Sequence, residues 1–280
     1  MGGNATVSVG DRQDPRCAER FPLLFLFGGG YKEKMSGPRS GTPIPDLTLL
    51  RIQAGSGLLF ATFLVLHLSN TILASAGQTT YDSFQNTIRW YYQFPPVEII
   101  VVLLAATVHA WAGIVRIWRR TKKYFDPKTP RFVLPLRMRL HRWCAYVILL
   151  IIPGHISGTR MPGLLEGLPA DFSFVNFSIE YWPWFFYPYL LAYGVSAAFH
   201  LIHGALLSLG VFDVRMPRWA MEGKSKPFWT SFVTFSLLIV IGIFALGGNL
   251  FTPNTDRFPE LKAFYEKKFQ KIFMPWKEEP

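Results

Sequence analysis

Apolar positions along this chain gather into five long runs that carry almost no charge, separated by polar stretches. The runs lie at about residues 52–74, 96–116, 138–158, 185–209 and 229–248. Each approaches the ~20 residues that a helix rising 1.5 Å per residue needs to cross a hydrocarbon core of about 30 Å. The pattern predicts an all-α membrane domain with five transmembrane helices over residues 48–250, between a tail at 1–47 and another at 251–280. Phe21–Phe27 is also apolar, but its seven residues are too short to span.

Composition matters here through its placement. The 280 residues include 29 Lys+Arg against 18 Asp+Glu, a formal charge of +11, while charged residues make up only 17%. An average soluble domain holds about 25%. An excess of this size would suggest nucleic acid as a partner if it lay on one soluble surface. Instead, Arg119, Arg120, Lys122, Lys123, Lys128, Arg131 and Arg137 crowd the second inter-span loop against Asp126 alone. Arg215, Arg218, Lys224 and Lys226 fall in the fourth loop with Asp213 and Glu222. The first loop is nearly neutral, and the third sets Arg160 against Glu166, Asp171 and Glu180. Basic clusters beside span ends act as anchors to anionic lipid, so membrane lipids are the expected partner and nucleic acid is not. The bias also puts the N-terminus and the second and fourth loops on the cytoplasm-like face.

Two cysteines, Cys17 and Cys144, exclude a disulfide scaffold and a cysteine-built metal site. Asp11, Asp14 and Glu19 among the N-terminal arginines argue against a cleaved mitochondrial presequence. Met1-Gly2-Gly3-Asn4-Ala5-Thr6 fits a myristoylation pattern with Gly2 as acceptor.

All six histidines lie within or at the edge of a span. Ionisable side chains in hydrocarbon are costly, so each marks a candidate function. Spans alternate in direction, so position within a span gives depth. His67 and His155 come late in the first and third spans, toward the face opposite the basic loops. His109 and His200 come past the middle of the second and fourth spans, toward the basic face. The halves also repeat: Arg51 precedes His67 by 16 residues and Arg139 precedes His155 by 16. His109–Gly113 and His200–Gly204 share the pattern H-x-x-x-G. Such a repeat of helical hairpins makes a four-helix bundle with inward histidines, where cofactor sites in bundles are built. Two imidazoles facing across the bundle can fill both axial positions of a haem, leaving an electron carrier or structural group with no open position. Gly113, Gly154, Gly158 and Gly204 are small neighbours that would let a macrocycle approach, and Pro153 would bend the third span near its histidine. The alternative is a set of histidines hydrogen-bonded across a structural bundle. His141 suits a headgroup or propionate contact, and His203 is a second candidate beside His200.

Five spans with histidines in the first four and none in the fifth resemble the di-haem cytochrome b anchors of succinate dehydrogenase and fumarate reductase. That resemblance implies the pairs His67/His155 and His109/His200, holding one or two haem b groups. It also implies iron–sulfur and flavoprotein subunits and quinone as partners, with Arg51 and Ser56-Gly57 at quinone-site positions. The signature H-x-x-x-G-x-R-H-L-x-x-D of the mono-haem anchors is absent after His109.

The sequence more closely resembles the fungal-type mitochondrial outer-membrane adapter family, whose membrane domain is similar to the same cytochrome b fold. The matching stretches are His67–Thr71, Thr107–Arg116 and Phe199–Gly204, together with Pro43-Ile44-Pro45 directly before the first span. In that family a Pro-x-Pro motif recruits a bridge-like lipid-transfer protein at membrane contacts. Proline-rich segments are extended and lose little entropy on docking. The leading expectation is therefore a non-enzymatic outer-membrane adapter supporting lipid homeostasis, with Pro43, Ile44 and Pro45 as its partner-binding residues and a cytosolic N-terminus. The other is a di-haem anchor subunit passing electrons to quinone, in the mitochondrial inner or a bacterial plasma membrane. No nucleotide, flavin or cysteine-cluster motif is present, so the chain is at most an electron-transfer subunit, with no catalytic residues of its own.

Overall fold

The computed structural model describes residues 44–124, 134–217 and 225–273. Gly2 and Pro43 lie outside the described residues, as do Lys128 and Arg131.

Nine helices account for nearly all of the described chain. Helix α1, Asp46–Leu73, runs into a 3-10 turn, Ala74–Ala76. Gly77, at φ +111°, then reverses the chain, a backbone conformation that side chains with a Cβ rarely adopt. Helix α2, Gln78–Tyr92, follows. The next begins at Pro95–Val97, passes through a π-helical stretch, Glu98–Leu104, and continues as Ala105–Tyr124; together these form α3. Then come α4 (Leu136–Thr159), α5 (Met161–Leu165), α6 (Phe172–Tyr181), α7 (Pro183–Val211), α8 (Lys226–Leu246) and α9 (Phe258–Phe273).

Among the described residues five segments are long and apolar enough to cross a membrane: Asp46–Ala76, Pro95–Arg120, Leu136–Leu165, Pro183–Val211 and Lys226–Leu246. Together they make an all-α integral membrane protein. The first four helices overrun their apolar runs, because backbone hydrogen bonding continues through polar end residues such as Asp46 and Arg137, while the fifth starts three residues before its run and stops at Leu246.

Packing follows the order α3–α1–α7–α4, with α8 laid against both α1 and α7. The seam among α1, α7 and α8 holds Leu68, Ala197, Ala198, Ile239 and Ile243. Gly242 is essential there, since a Cβ would run into the Thr71 carbonyl of α1. At one end of the bundle Arg119 of α3 pairs with Asp46 of α1 at 3.0 Å. Arg137 of α4 meets His203 of α7 and covers the Phe228 ring of α8 at the same end. At the other end Glu98 of α3 pairs with Arg160 after α4 through two bonds, of 2.5 and 2.8 Å.

This second end carries a cap that apolar runs alone do not reveal. Helix α6 wedges among α7, α8, α2 and α9. Phe172, Phe174, Asn176, Phe177 and Ile179 are all buried in it. Asp171 accepts from the Phe174 N–H at 3.0 Å as the N-cap of α6, and it pairs with Arg257. Asp82 of α2 accepts from the Phe172 N–H at 2.9 Å. Gln78 bridges Ser173 (3.1 Å) and the Asn254 N–H (2.9 Å), and Asn176 donates to the Leu246 carbonyl at 2.8 Å. Residues 251–280, expected as a tail, thus include a helix whose Leu261 is fully buried against Phe174 and Phe177. Trp90 and Trp184, 85% and 75% exposed, stand out at this end as interfacial aromatic residues do.

Candidate functional site

The two histidine pairs meet inside the bundle. His67 of α1 and His155 of α4 have ring centroids 5.8 Å apart. His109 of α3 and His200 of α7 are 5.9 Å apart. Two imidazoles bonded to opposite sides of one metal, each bond about 2 Å long, place their centroids about 6 Å apart. The ring planes cross at 76° and 85°, which such a site tolerates because each ring turns freely about its own bond to a shared metal. Both pairs bridge helices that are not packed directly on each other: α1 faces α4, and α3 faces α7, across the bundle.

Outer contacts fix how the rings present themselves. His109 Nδ1 donates to the Gln53 carbonyl at 2.8 Å, and His200 Nδ1 donates to the His141 carbonyl at 3.4 Å. A carbonyl can only accept, so these two rings carry their proton on Nδ1 and leave the Nε2 lone pair free. Metal-ligating histidines are oriented in this way by a partner on the other nitrogen. His155 Nδ1 lies 2.7 Å from the Tyr189 hydroxyl, with Tyr193 beside the ring at 4.9 Å. His67 is steadied by Phe63, stacked at 5.5 Å.

Glycines matter unequally. A Cβ at Gly57 would fall within 2.6 Å of the His109 ring, so α1 must be bare there for His109 to reach its position. Gly113 makes room for the Gln53 amide, and Gly204 for the His141 ring. Gly154 and Gly158 are exposed, with open space where a Cβ would go, so neither sets an approach between helices.

His200, and not His203, faces His109. The Nδ1 of His203 accepts from Arg137 at 3.3 Å, and its Nε2 is buried with no hydrogen-bond partner. His141 stacks flat on His200 at 4.1 Å and also touches His203 at 5.3 Å. Among the described residues no three His, Cys, Asp or Glu side chains converge as metal ligands. The Ser56 hydroxyl is spent on the Ile52 carbonyl at 2.7 Å, and Arg51 is exposed on α1.

Gln53 and Tyr189 are the contributors that the spacing of histidines does not reveal. Gln53 holds His109 through its carbonyl and Arg116 through its side chain. Its only signal in the sequence is a polar amide inside an apolar run. Tyr189 carries none, since tyrosines are common near span ends.

Ile44 and Pro45 open α1. Pro45 is extended, at φ −57° and ψ 146°, close to polyproline II geometry, and Ile44 and Leu47 are 40% and 57% exposed.

Comparison with protein-family models, with curated proteins and with solved structures finds no match to this chain.

Proposed function

We propose that the bundle is a b-type haem frame, with one haem held by His67 and His155 and a second by His109 and His200. The single observation that carries this reading is the pair of facing imidazole couples at haem-like separation, with Nδ1 of His109, His155 and His200 tied to protein partners. A haem with two imidazole ligands has no open coordination position, so it supplies electron transfer or structural support, not oxygen activation. The chain's own part is to hold the ligand rings in a low-dielectric setting. The Gln53 and His141 carbonyls set the tautomers of His109 and His200, and Tyr189 orients His155. Absorbance of the purified chain tests this: a reduced-minus-oxidised b-type band that shrinks in His67→Ala and in His200→Ala is expected.

Around this frame the chain acts as an adapter in the mitochondrial outer membrane, with its N-terminus in the cytosol. Pro43-Ile44-Pro45 docks a bridge-like lipid-transfer protein there and so supports lipid homeostasis at membrane contacts. The extended geometry of Pro45 and the exposure of Ile44 and Leu47 favour this reading, because a docked extended segment needs both. Replacing Pro43 and Pro45 by Ala should abolish co-purification of the lipid-transfer partner; undiminished co-purification contradicts the docking role. The competing role is that of a quinone-linked anchor subunit. It requires iron–sulfur and flavoprotein subunits in the same preparation, and their recovery would replace the adapter reading while leaving the haem reading intact.

A further inference from the structure

A small cavity opens between α2, the end of α4 and the connection into α6, at the capped end of the bundle. It measures about 220 Å3 and is lined by Arg89, Gln93, Thr159, Arg160, Gly163 and Gly167 among others. The two guanidinium groups on its wall are not equivalent. Arg160 is neutralised by its two bonds to Glu98. Arg89 makes no ion pair among the described residues. One of its terminal nitrogens donates to the Ala170 carbonyl at 3.0 Å, and its Nε–H is buried without an acceptor. The nearby acids make their close contacts elsewhere, Asp171 with Arg257 and the Phe174 N–H and Asp82 with the Phe172 N–H, so neither forms an ion pair with Arg89, although Asp82 still feels its charge. The cavity therefore has a fixed cation, an unused buried donor and a neutral amide, Gln93, on its rim. A buried donor left unmade costs free energy that an anionic oxygen would recover.

Position identifies the class of anion. Trp90 (85% exposed), Phe94 (57%), Leu164 (56%) and Leu165 (68%) flank the cavity in sequence on both sides. Exposed tryptophan beside exposed leucine is the composition of a surface at the level of lipid headgroups. Pockets that enclose a drug-sized ligand measure about 300–1,000 Å3, so this smaller space suits a headgroup, with acyl chains running outside over Leu164 and Leu165. We propose that this cavity binds the phosphodiester of a phospholipid headgroup in the leaflet opposite the basic loops, with Arg89 as the charged contact. The site is independent of haem and of the Pro-x-Pro segment.

The test uses the full chain, reconstituted in phosphatidylcholine–phosphatidylethanolamine vesicles, re-extracted in mild detergent and weighed by native mass spectrometry. One phospholipid should survive extraction per chain. Loss of a charge-assisted contact lowers affinity by roughly 10- to 100-fold. Retention should therefore fall by about that factor in Arg89→Gln, and likewise in Gln93→Glu, which keeps side-chain shape and places a competing carboxylate beside Arg89. Arg139→Gln, an exposed change on α4, should retain lipid as the unaltered chain does. Equal retention in Gln93→Glu and the unaltered chain, with unchanged melting temperature, overturns the site. So does retention of an anion that disappears in His155→Ala, which would make the occupant a haem propionate.

Discussion

His200 and His203 lie one turn apart on α7, yet Arg137 separates their roles. By donating to His203 Nδ1 it takes up the acceptor nitrogen of that ring, while His200 turns toward His109. Replacing His203 by Ala should leave the haem content of the purified chain unchanged, whereas His200→Ala should remove one haem; equal losses would mean that the two histidines share the role. Tyr189 makes a different prediction. Its hydroxyl is the hydrogen-bond partner of His155 Nδ1, and loss of such an outer partner typically costs about 10–100-fold in metal affinity. Tyr189→Phe should weaken retention of the His67/His155 haem by that factor in apomyoglobin competition, with the other haem unaffected.

At the level of elements, α6 is held by side chains that cap it. Losing an N-cap costs roughly 0.5–2 kcal/mol, so Asp171→Ala should destabilise the cap by at least that range on denaturant unfolding, with the Arg257 pair lost as well. Asp82 adds a pH dependence. Burial raises its pKa above the usual 3.8, an effect only partly offset by the Phe172 N–H, and Asp171 raises it further against the lowering pull of Arg89 and Arg257. A raised carboxylate pKa means that the folded protein binds the proton more tightly than the unfolded chain. That stability is fully present below the unfolded pKa and is lost as pH rises through the folded one. The melting temperature should therefore fall as pH climbs from about 4 through the Asp82 titration, and Asp82→Asn should flatten that slope. Gly242→Ala should cost about 1–3 kcal/mol by forcing α8 away from the Thr71 carbonyl, with loss of the α1–α8 seam.

The five spans were legible because hydrocarbon admits only long apolar helices, and the pairing of histidines was legible because alternating direction converts sequence position into depth. The cap was not. Helix α6 has only 10 residues, and it buries Ser173, Asn176 and Ser178 beside its phenylalanines. Those polar groups are paid for by bonds to partners far along the chain, such as Ser173 to Gln78 and Asn176 to Leu246, which no local pattern announces. Arg137 was legible as a basic loop residue, but its burial on Phe228 depends on where α8 packs.

For the molecule as a whole, the basic ends of the spans and the cap stand at opposite ends of one bundle. Single cysteines placed at Arg215 and at Glu260, both exposed, should react with a membrane-impermeant maleimide from opposite sides of sealed vesicles. Labelling of both from one side would contradict the five-span topology. Within that topology, two imidazole pairs at two depths form two proposed haem sites. The most direct measurement is haem per chain by pyridine haemochrome, on the unaltered chain, His67→Ala, and the double variant His67→Ala/His109→Ala. Two haems on two axial pairs give about two, one and none, in that order, as the expected result. A chain with no b-type band, or a double variant with undiminished haem, would contradict it.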